Sequence, residues 1–528
     1  MKSMKKYRCL YNHEMLICFT SQTPYQSYKE NVRKEQIEGY VKELADTQVD
    51  AFMCCPTAWR LPIYYSRVNP VWQTWAREHK DPLPEDDWKY FDKVFSRVKR
   101  YMLADNYEDP LQLTLNAAKK IGLGFFFSYR MNDVHEAVHT GKRISPTMDP
   151  IWRNHPEWRM AMDDKKHPGY GGHYAMNYLH QEVRDWYYAV IEELVENYAL
   201  DGFELDFMRN PVFFPDDNIK EGAELMTAFV RKIRSLLDRT GVQRKQQLKL
   251  CVRVPWSVKH CMDAGLNVPH WCREKTIDMV NAAAGYMTTP ETDIEGFKQN
   301  CVGIPVYGEM YHLTYPKEGE SNRRTSKEIY ETTAHGFLDR GADGIGFFNF
   351  CYVRDHHFNE ARRRFFMYPE PPFETLRHIC DIEYLKKRPK HYVIAPGFGT
   401  LPVALVIGPP FDFKLYVADD TKAVPFDHAL LRLELNKPGF FYNAIKVFVN
   451  GVELELVPGS GELFPPFSNE ALPDPGALFY FKINPDIVKH GWNKITVEAN
   501  VTGEFFKLSL QGYQLNGIEL ALYKQPAE

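Results

Sequence analysis

Short apolar runs bounded by turn residues alternate with longer amphipathic stretches from residue 15 to residue 350. Such runs are typical of parallel strands that are buried on both faces and connected by helices. Eight of them are present, at residues 15–19, 50–55, 121–128, 202–208, 248–254, 277–283, 304–310 and 344–350. The count predicts an α/β fold, a (β/α)8 TIM barrel of eight parallel strands.

The helix before the fourth run has the clearest pattern, because apolar residues recur at helical spacing from Val183 to Tyr198. Two connections, residues 56–116 and 129–180, are unusually long. Both follow strands, so a barrel places them at its carboxyl face, where active sites are built. Their aromatic residues are expected either to line a cleft or to pack the loops onto the barrel, and they are Trp59, Tyr64, Tyr65, Trp72, Trp75, Trp152 and Trp158.

The pattern changes near residue 385, where proline-rich segments at residues 368–372 and 386–396 indicate a boundary. Beyond it, short alternating runs separated by turn residues predict an antiparallel β-sandwich. The runs are residues 431–435, 444–449, 479–483, 494–497 and 506–510, with Asn450-Gly451 as a hairpin turn. We therefore expect a barrel domain at residues 1–385 and a sandwich domain at residues 386–528.

Composition narrows the classes of partner. The 528 residues are 44% hydrophobic and 25% charged, as in folded globular proteins. A net charge of −4 disfavours nucleic acid and anionic membranes as partners. The aromatic share of 14% is high, and stacking on sugars is one use for it. The ten cysteines include no CxxC spacing, so we expect reduced thiols.

The first 16 residues contain basic and polar residues and no apolar run of the kind found in signal peptides. A cytoplasmic location is therefore the default expectation, although processing of a secreted or periplasmic protein would leave a similar start. No apolar stretch reaches the length of a membrane span. The sequence does not indicate the oligomeric state.

The fourth run carries the candidate chemistry. Side chains alternate between the two faces of a strand, so Phe203, Leu205 and Phe207 face the helices while Glu204 and Asp206 face the barrel interior. Two neighbouring buried acids raise one pKa and leave the other group ionised, as general acid and base catalysis requires. Asp206, nearer the mouth, is the first catalytic candidate and Glu204 is the second or its electrostatic support.

Arg130 and Arg253 also face inward by alternation, and a salt bridge to either of them is the structural alternative for the two acids. The seventh run ends in Glu309, across the barrel from the fourth. Glycoside hydrolysis needs two carboxyl groups that flank one bond, and their separation decides between retention and inversion. We expect Asp206 and Glu309 to form this pair, with a rim salt bridge as the alternative for Glu309. The sequence does not fix the separation.

The stretch from Asn177 to Phe214, which contains VRDWYYAVIEELVENYALDGFELDFMRNPVFF at residues 183–214, resembles the glycoside-hydrolase-like barrels labelled family-10-like. The resemblance extends to FFSYRMND at 126–133, GADGI at 341–345 and VADD at 417–420. It implies a (β/α)8 barrel that hydrolyses glycosides. The pattern Asp-Gly-Phe-x-Leu-Asp is also similar to strand four of the α-amylase barrels, and that similarity places their nucleophile on Asp206.

The sequence departs from both groups of hydrolases that this comparison suggests. After the fifth run, Pro255-Trp256 stands where α-amylases have a general-acid Glu. Barrels with acids on strands four and seven have Asn-Glu on strand four, which is absent here. The resemblance therefore indicates which positions are catalytic, but it does not assign the general acid and the nucleophile among them.

A zinc site is the main rival. His135-Glu136-Ala-Val-His139 matches the HExxH pattern of zinc peptidases. However, Thr140-Gly141 shortens the helix and no third ligand is evident downstream, so we expect no metal and no cofactor. Asp355-His356-His357 is interpreted as a polar turn. No phosphate loop and no Gly-x-Ser-x-Gly elbow occurs.

The sequence thus predicts a glycoside hydrolase that acts on an oligosaccharide or polysaccharide through Asp206 and Glu309, with Glu204 in support. A barrel that binds glycans without cleaving them, with the sandwich as an accessory module, is the alternative, and a zinc hydrolase is the third. The number of arginines suggests an acidic or sulfated sugar. The residues expected to line the substrate site are Arg130, Asn132, Asp133, His135, Arg209, Arg253, Trp256, Tyr311 and His312.

Overall fold

The computed structural model describes most of the chain. The described residues are 6–19, 31–73, 91–134, 149–160, 174–285, 287–315, 323–352, 370–396, 400–406, 409–423, 425–437, 439, 445–457, 477–499 and 512–524, with side chains from residue 97 onward in the helix that begins at Phe91. Contacts divide the chain into two compact units. The first comprises Met1–Gly285, Asp293–Glu309 and Ala342–His357, and the second Tyr286–Thr292, Met310–Gly341 and Phe358–Glu528. The boundary predicted at residue 385 stays a prediction.

Eight parallel strands close into a barrel in which each strand pairs with the next along the chain and the last pairs with the first. They are β1 Cys9–Glu14, β2 Ala51–Cys55, β3 Gly124–Arg130, β4 Gly202–Asp206, β5 Lys249–Pro255, β6 Met279–Ala283, β7 Val306–Tyr311 and β8 Gly344–Phe348. The predicted TIM barrel is confirmed.

Helices lie between the strands. They are α1 Lys34–Lys42, α2 Phe91–Met102, α3 Pro110–Lys120, α4 Pro150–Asn154, α5 Gln181–Asn197, α6 Ile219–Arg244, α7 Val258–Asp263, α8 Val268–Arg273, α9 Ile294–Asn300, α10 Lys327–Asp339 and α11 Ile382–Leu385. Short 3-10 helices occupy Met15–Phe19, Pro156–Trp158, Asp216–Asn218, Phe373–Arg377 and Pro485–Ile487. Two small hairpins pair Thr57–Ala58 with Leu61–Pro62 and Leu313–Tyr315 with Arg323–Arg324. Among the described helices, none is long and apolar enough to cross a membrane.

The prediction for the first strand is wrong. Residues 15–19 form a buried 3-10 helix, and β1 is Cys9–Glu14 just before it. The strand was missed because Asn12 and Glu14 interrupt its apolar pattern. Both polar residues are buried inside the barrel, where the other strands provide hydrogen-bonding partners for them.

An aspartate lies immediately before each of β2, β4, β6 and β8. Its carboxylate accepts a hydrogen bond from a backbone N–H at the start of the neighbouring odd-numbered strand, β1, β3, β5 or β7 respectively. The four carboxylates belong to Asp50, Asp201, Asp278 and Asp343, and their donors are Arg8 and Cys9, Phe125, Leu250 and Val306. Because these bonds lie at the amino ends of the strands, Asp201-Gly202 and Asp343-Gly344 belong to the structural end of the barrel.

Inward side chains form two levels. Toward the amino ends, an apolar floor consists of Tyr7, Leu10, Ala51, Met53, Phe126, Cys251, Met279 and Tyr307. On most strands, the inward residue two positions closer to the carboxyl end is polar, although β2 and β8 contribute no polar side chain. We call this second level the polar layer, and it contains Asn12, Glu14, Ser128, Arg130, Glu204, Asp206, Arg253, Asn281 and Glu309.

The second unit contains the predicted antiparallel sandwich. Its strands are β9 Lys390–Ile394, β10 Val403–Ala404, β11 Phe411–Val417, β12 His428–Leu435, β13 Ile445–Val449, β14 Val452–Glu453, β15 Glu455–Val457, β16 Leu478–Ile483, β17 Gly491–Ala499 and β18 Gln514–Tyr523. One sheet has the order β9-β18-β12-β16-β15 with β10 on β18, and the other has the order β11-β17-β13-β14. Alternate residues of both sheets share one apolar core.

Most of the predicted sandwich strands have counterparts. The Asn450-Gly451 turn has positive φ at both residues, as a tight hairpin requires, and joins β13 to β14. Strands β9, β11 and β18 were not predicted. The predicted run at 506–510 lies outside the described residues.

Candidate active site

Strand β4 directs Glu204 and Asp206 into the barrel, as alternation predicts. Glu204 lies level with Ser128 and Cys251 on the neighbouring strands, whereas Asp206 lies level with Arg130 and Arg253. Glu204 is 0% exposed and Asp206 is 1% exposed. Since Asp206 ends its strand, it is the acid nearer to the mouth of the barrel.

Arg253 joins the two predicted catalytic carboxylates. Its Nη1 donates to Asp206 Oδ1 at 2.9 Å, and its Nε and Nη2 donate to the two oxygens of Glu309 at 2.7 and 2.6 Å. Its Cζ lies 3.8 Å from the ring centre of Phe348. A planar guanidinium suits such a two-pronged contact. The structure therefore brings Asp206 and Glu309 together on one cation and also realises the ion pair that the sequence offered as the structural alternative.

Asn281 completes the surroundings of Glu309. Its Nδ2 donates to Glu309 Oε2 at 2.8 Å. Gly346 makes room for it, because a Cβ at that position would lie 2.5 Å from Asn281 Oδ1. Glu309 thus accepts three hydrogen bonds and is fixed in one orientation.

Asp206 is bound differently. Its Oδ1 accepts from Arg253 and also from the backbone N–H of Met208, at 2.9 Å in each case. Its buried Oδ2 has no hydrogen-bond partner among the described residues. A buried acceptor without a partner costs free energy and calls for an explanation. One oxygen of Asp206 is therefore anchored and the other is available.

The pKa values of the acids reflect burial and mutual repulsion. Burial, and then the charge of Asp206, raise the pKa of Glu204 to about 7, although a hydrogen bond from Ser128 lowers it in part. Burial also raises the pKa of Glu309, and Arg253 opposes that rise. Burial alone would lower the pKa of Arg253, but the charges of Asp206 and Glu309 raise it above its ordinary value. Near neutral pH, Glu204 is thus partly protonated, and it lies next to Asp206, which Arg253 holds.

A second buried ion cluster lies in the same unit. Arg130 bonds Glu14 through Nη2 at 2.9 Å and Asp133 through Nη1 at 2.9 Å. Arg209 lies farther away, with its Nε 3.9 Å from Asp133 Oδ2. Glu14 was missed because the first strand was misplaced; a strand ending at residue 14 would have put this acid at a carboxyl end, facing inward.

Asn132 holds loops in place. Its amide donates to the carbonyls of Met176 and Val212 at 3.0 and 2.7 Å, and its Oδ1 accepts from Met176 N at 3.0 Å. Arg60 also donates to Asn132 Oδ1. These bonds occupy the side chain, which is fully buried. Its predicted part in substrate binding stays a prediction. Ser128, Asn12 and Asn281 also belong to the polar layer and were not predicted from the sequence, since uncharged polar residues within strands carry little signal.

The remaining predicted site residues that the structure describes lie at the carboxyl ends of β5 and β7. Trp256 follows β5 and stacks on His260, with 4.3 Å between ring centres. Tyr311 and His312 are assigned to the second unit, where both are buried. Burial lowers the pKa of His312 well below its usual value. His135 lies outside the described residues.

The aromatic residues of the long loops are mainly part of the packing. Trp72, Tyr64 and Trp152 are buried, and Trp72 donates to the Pro62 carbonyl at 2.6 Å. Tyr65 is partly exposed and packs edge to face against Tyr107. Trp75 lies outside the described residues.

In the parts of the chain whose side chains are described, no group of three or more His, Cys, Asp and Glu side chains has the arrangement of a metal site. The HExxH residues at 135–139 and the polar turn at 355–357 fall outside the described residues, so the zinc alternative is untested.

No family model and no curated protein matches the sequence. Solved structures with a similar fold include the PgaB (BpsB) glycoside hydrolase domain from Bordetella bronchiseptica, which is 11% identical over 71% of this chain and 99% of that chain, with a TM-score of 0.42. Alpha-L-fucosidase isoenzyme 2 from Paenibacillus thiaminolyticus is 13% identical over 74% of this chain and 51% of that chain, with a TM-score of 0.40. An Anoxybacillus alpha-amylase is 11% identical over 94% of this chain and 98% of that chain, with a TM-score of 0.39. At these identities and TM-scores, the similarities assign no activity to this chain.

Proposed function

We propose that this protein is a glycoside hydrolase in which Asp206 and Glu309 are the carboxyl pair. The observation that carries the proposal is the asymmetric environment of Asp206. One of its oxygens is anchored by Arg253 and the Met208 N–H, while the other is buried without a partner among the described residues. A catalytic role is one explanation for a buried acceptor without a partner, because such an oxygen can accept a hydrogen bond from bound substrate or water.

Asp206 is assigned the role of nucleophile or of the base that activates water. Arg253 and the Met208 N–H hold it in one orientation through Oδ1, and Oδ2 is the reacting atom. Glu309, on the opposite side of the same guanidinium, is the second carboxyl group. Glycosidic cleavage requires one carboxyl group on each side of the bond.

Glu204 is assigned a supporting role. It lies two residues deeper on the same strand, about 6 to 7 Å below Asp206, and its Oε2 accepts from the Cys251 thiol at 3.3 Å. Because its pKa is raised to about 7, Glu204 is mostly protonated below pH 7 and mostly ionised above it. When Glu204 is protonated, Asp206 is not repelled by a second negative charge on the same strand.

A barrel that binds glycans without cleaving them is the second candidate. It is favoured by the contact of Arg253 with both carboxylates, because ion pairs in which every member is at most 2% exposed are also found as structural elements. Under this alternative the oxygens of Asp206 and Glu309 serve packing and glycan contact only.

A panel of aryl glycosides and oligosaccharides, including uronic acid and sulfated sugars, separates the two candidates. Wild type, Asp206→Asn and Glu309→Gln are assayed together, with the exposed Asp263→Asn as a matched control. A hydrolase turns over at least one glycoside, loses turnover in both site variants and keeps it in the control. Glycan binding by calorimetry, with no turnover by wild type of any panel member, would support the binding barrel and overturn the proposal.

A further inference from the structure

The outer face of the β11-β17-β13-β14 sheet carries one prominent aromatic residue. Trp492, on β17, is 49% exposed and is the most exposed of the described tryptophans. Tryptophan is highly buried on average and is enriched among the residues that contribute most to binding. Trp492 therefore stands out as a candidate contact point.

The indole of Trp492 is held in place. Tyr416 pairs with it across the two strands, and the rings meet edge to face at 5.3 Å. The Arg340 guanidinium lies 5.3 Å from the centres of both rings. Arg340 is itself fixed, because it donates to the carbonyls of Pro290 and Thr292 at 2.6 and 2.7 Å. One part of the ring is thus packed while the rest is presented to solvent in a fixed orientation.

A second set of hydrogen bonds fixes the residues around Trp492. Asp339 Oδ2 accepts from the Tyr416 hydroxyl at 2.6 Å and lies 2.8 Å from His490 Nε2. The side chain of His490 is half exposed beside the tryptophan. The platform, defined as Trp492, Tyr416 and His490, is therefore preorganised, which lowers the entropic cost of binding a ligand.

Next to the platform the charge is positive. Lys414 and Lys494 lie directly opposite each other on β11 and β17, and both are exposed. Like charges opposite each other across two strands are unfavourable. Asp412 pairs with Lys494 at 2.9 Å, whereas Lys414 forms no ion pair within the described part of the chain. A ligand with a negative group would relieve this repulsion.

We infer that the platform and Lys414 bind an anionic glycan, with the C–H face of a sugar ring on the Trp492 indole and a carboxylate or sulfate at Lys414. The choice of a glycan rests on the proposed function, and the inference extends it by assigning a binding site on the sandwich. The apolar ring favours a ligand with an apolar face, and Lys414, which forms no ion pair within the described residues, favours a negative group beside it. An acidic sugar chain combines both, and it would raise the local concentration of substrate.

Native gel electrophoresis through polygalacturonate, chondroitin sulfate or neutral hydroxyethyl cellulose tests the site. The Asp206→Asn protein is used, so that no probe is consumed. We expect retardation by an anionic polymer and little retardation by the neutral one. Trp492→Ala should weaken the affinity about 10- to 30-fold, as for removal of a central tryptophan. Lys414→Gln should weaken it less and reduce its dependence on salt.

Controls separate this inference from the proposed function. Met262→Ala, which removes another exposed apolar side chain, from the first unit, should leave retardation unchanged. Trp492→Phe should retain part of the retardation. Turnover by Trp492→Ala of a short aryl glycoside is expected at the wild-type rate. Unchanged retardation of Trp492→Ala, equal binding to the neutral polymer, or self-association that depends on Trp492 would overturn the inference. Absence of turnover by wild type would count only against the proposed hydrolase.

Discussion

Arg253 donates two parallel hydrogen bonds to Glu309, from Nε at 2.7 Å and from Nη2 at 2.6 Å, deep inside the barrel. Its third nitrogen, Nη1, donates to Asp206 Oδ1 at 2.9 Å. One cation therefore compensates two acids in a place that is nearly inaccessible to water. Transfer of such charges out of water is costly unless each is paired, so the geometry of both carboxylates depends on Arg253.

Replacement of Arg253 by Met should destabilise the protein by about 3–5 kcal/mol, because it leaves two buried carboxylates without their counter-charge. Chemical denaturation measures the loss. Arg231→Met is the matched control, since Arg231 forms a comparable bidentate pair with Glu274 on the surface. That pair should contribute less than about 1 kcal/mol. Equal effects of the two substitutions would contradict the account of the buried ion pairs.

Replacement of Glu204 by Gln should change how stability depends on pH. The pKa of Glu204 rises from its ordinary 4.5 to about 7 on folding, so the folded state holds a proton that the unfolded state releases. The stabilisation is complete below pH 4.5 and is lost as the pH rises through 7, by on the order of 3 kcal/mol. Glu204→Gln removes this loss. The free energy of unfolding of the variant, relative to wild type, should therefore increase from pH 4.5 to 8. A constant difference over that window would show that Glu204 is not perturbed.

His13 should make the barrel sensitive to acid. It is buried between Tyr40 and Phe52, and burial lowers the pKa of His13 to about 3. The unfolded chain takes up a proton below pH 6.5 while the folded state does not, so stability falls as the pH falls, by about 2 kcal/mol at pH 5. His13→Phe should retain the packing and lose this acid dependence, as measured by thermal unfolding at pH 5 and 8. A variant with the same acid dependence as wild type would argue against the prediction.

Asn281 is expected to act on turnover through Glu309. Loss of its hydrogen bond in Asn281→Ala removes about 1.5–3 kcal/mol of interaction with a charged group, which corresponds to a fall of about 10- to 100-fold in kcat if the orientation of Glu309 matters in the transition state. KM should change little. Asn12→Ala is the control in the same polar layer, because Asn12 donates to Ser128 and not to a catalytic carboxylate. A larger effect of Asn12→Ala on kcat would contradict the positioning role of Asn281.

Much of the fold follows from local patterns. Seven of the eight barrel strands were located from apolar runs, and α5 was predicted from its helical spacing. The first strand was missed because its inward positions hold Asn12 and Glu14, which make sense only once partners on other strands are present. The inward orientation of Glu204 and Asp206 followed from alternation alone. By contrast, the three-pronged contact of Arg253 depends on side-chain conformations across three strands, and no sequence pattern specifies it.

The predicted substrate residues show a similar division. Sequence position correctly placed Arg130, Asn132 and Asp133 at or just after the end of β3. It did not predict that the Asn132 amide donates its hydrogen bonds to backbone carbonyls of two loops. These hydrogen bonds depend on the path that the long connections take back to the barrel, and the local spacing of residues does not encode that path.

The central claim is that Asp206 reacts, and the most direct measurement is kcat/KM of wild type and Asp206→Asn for a glycoside that the wild type hydrolyses. The variant keeps the shape of the side chain and an acceptor for Arg253, so its thermal stability and circular dichroism should stay close to those of wild type. The account predicts a fall in kcat/KM of about 1000-fold or more. A folded Asp206→Asn protein that retains turnover within about tenfold of wild type would contradict it.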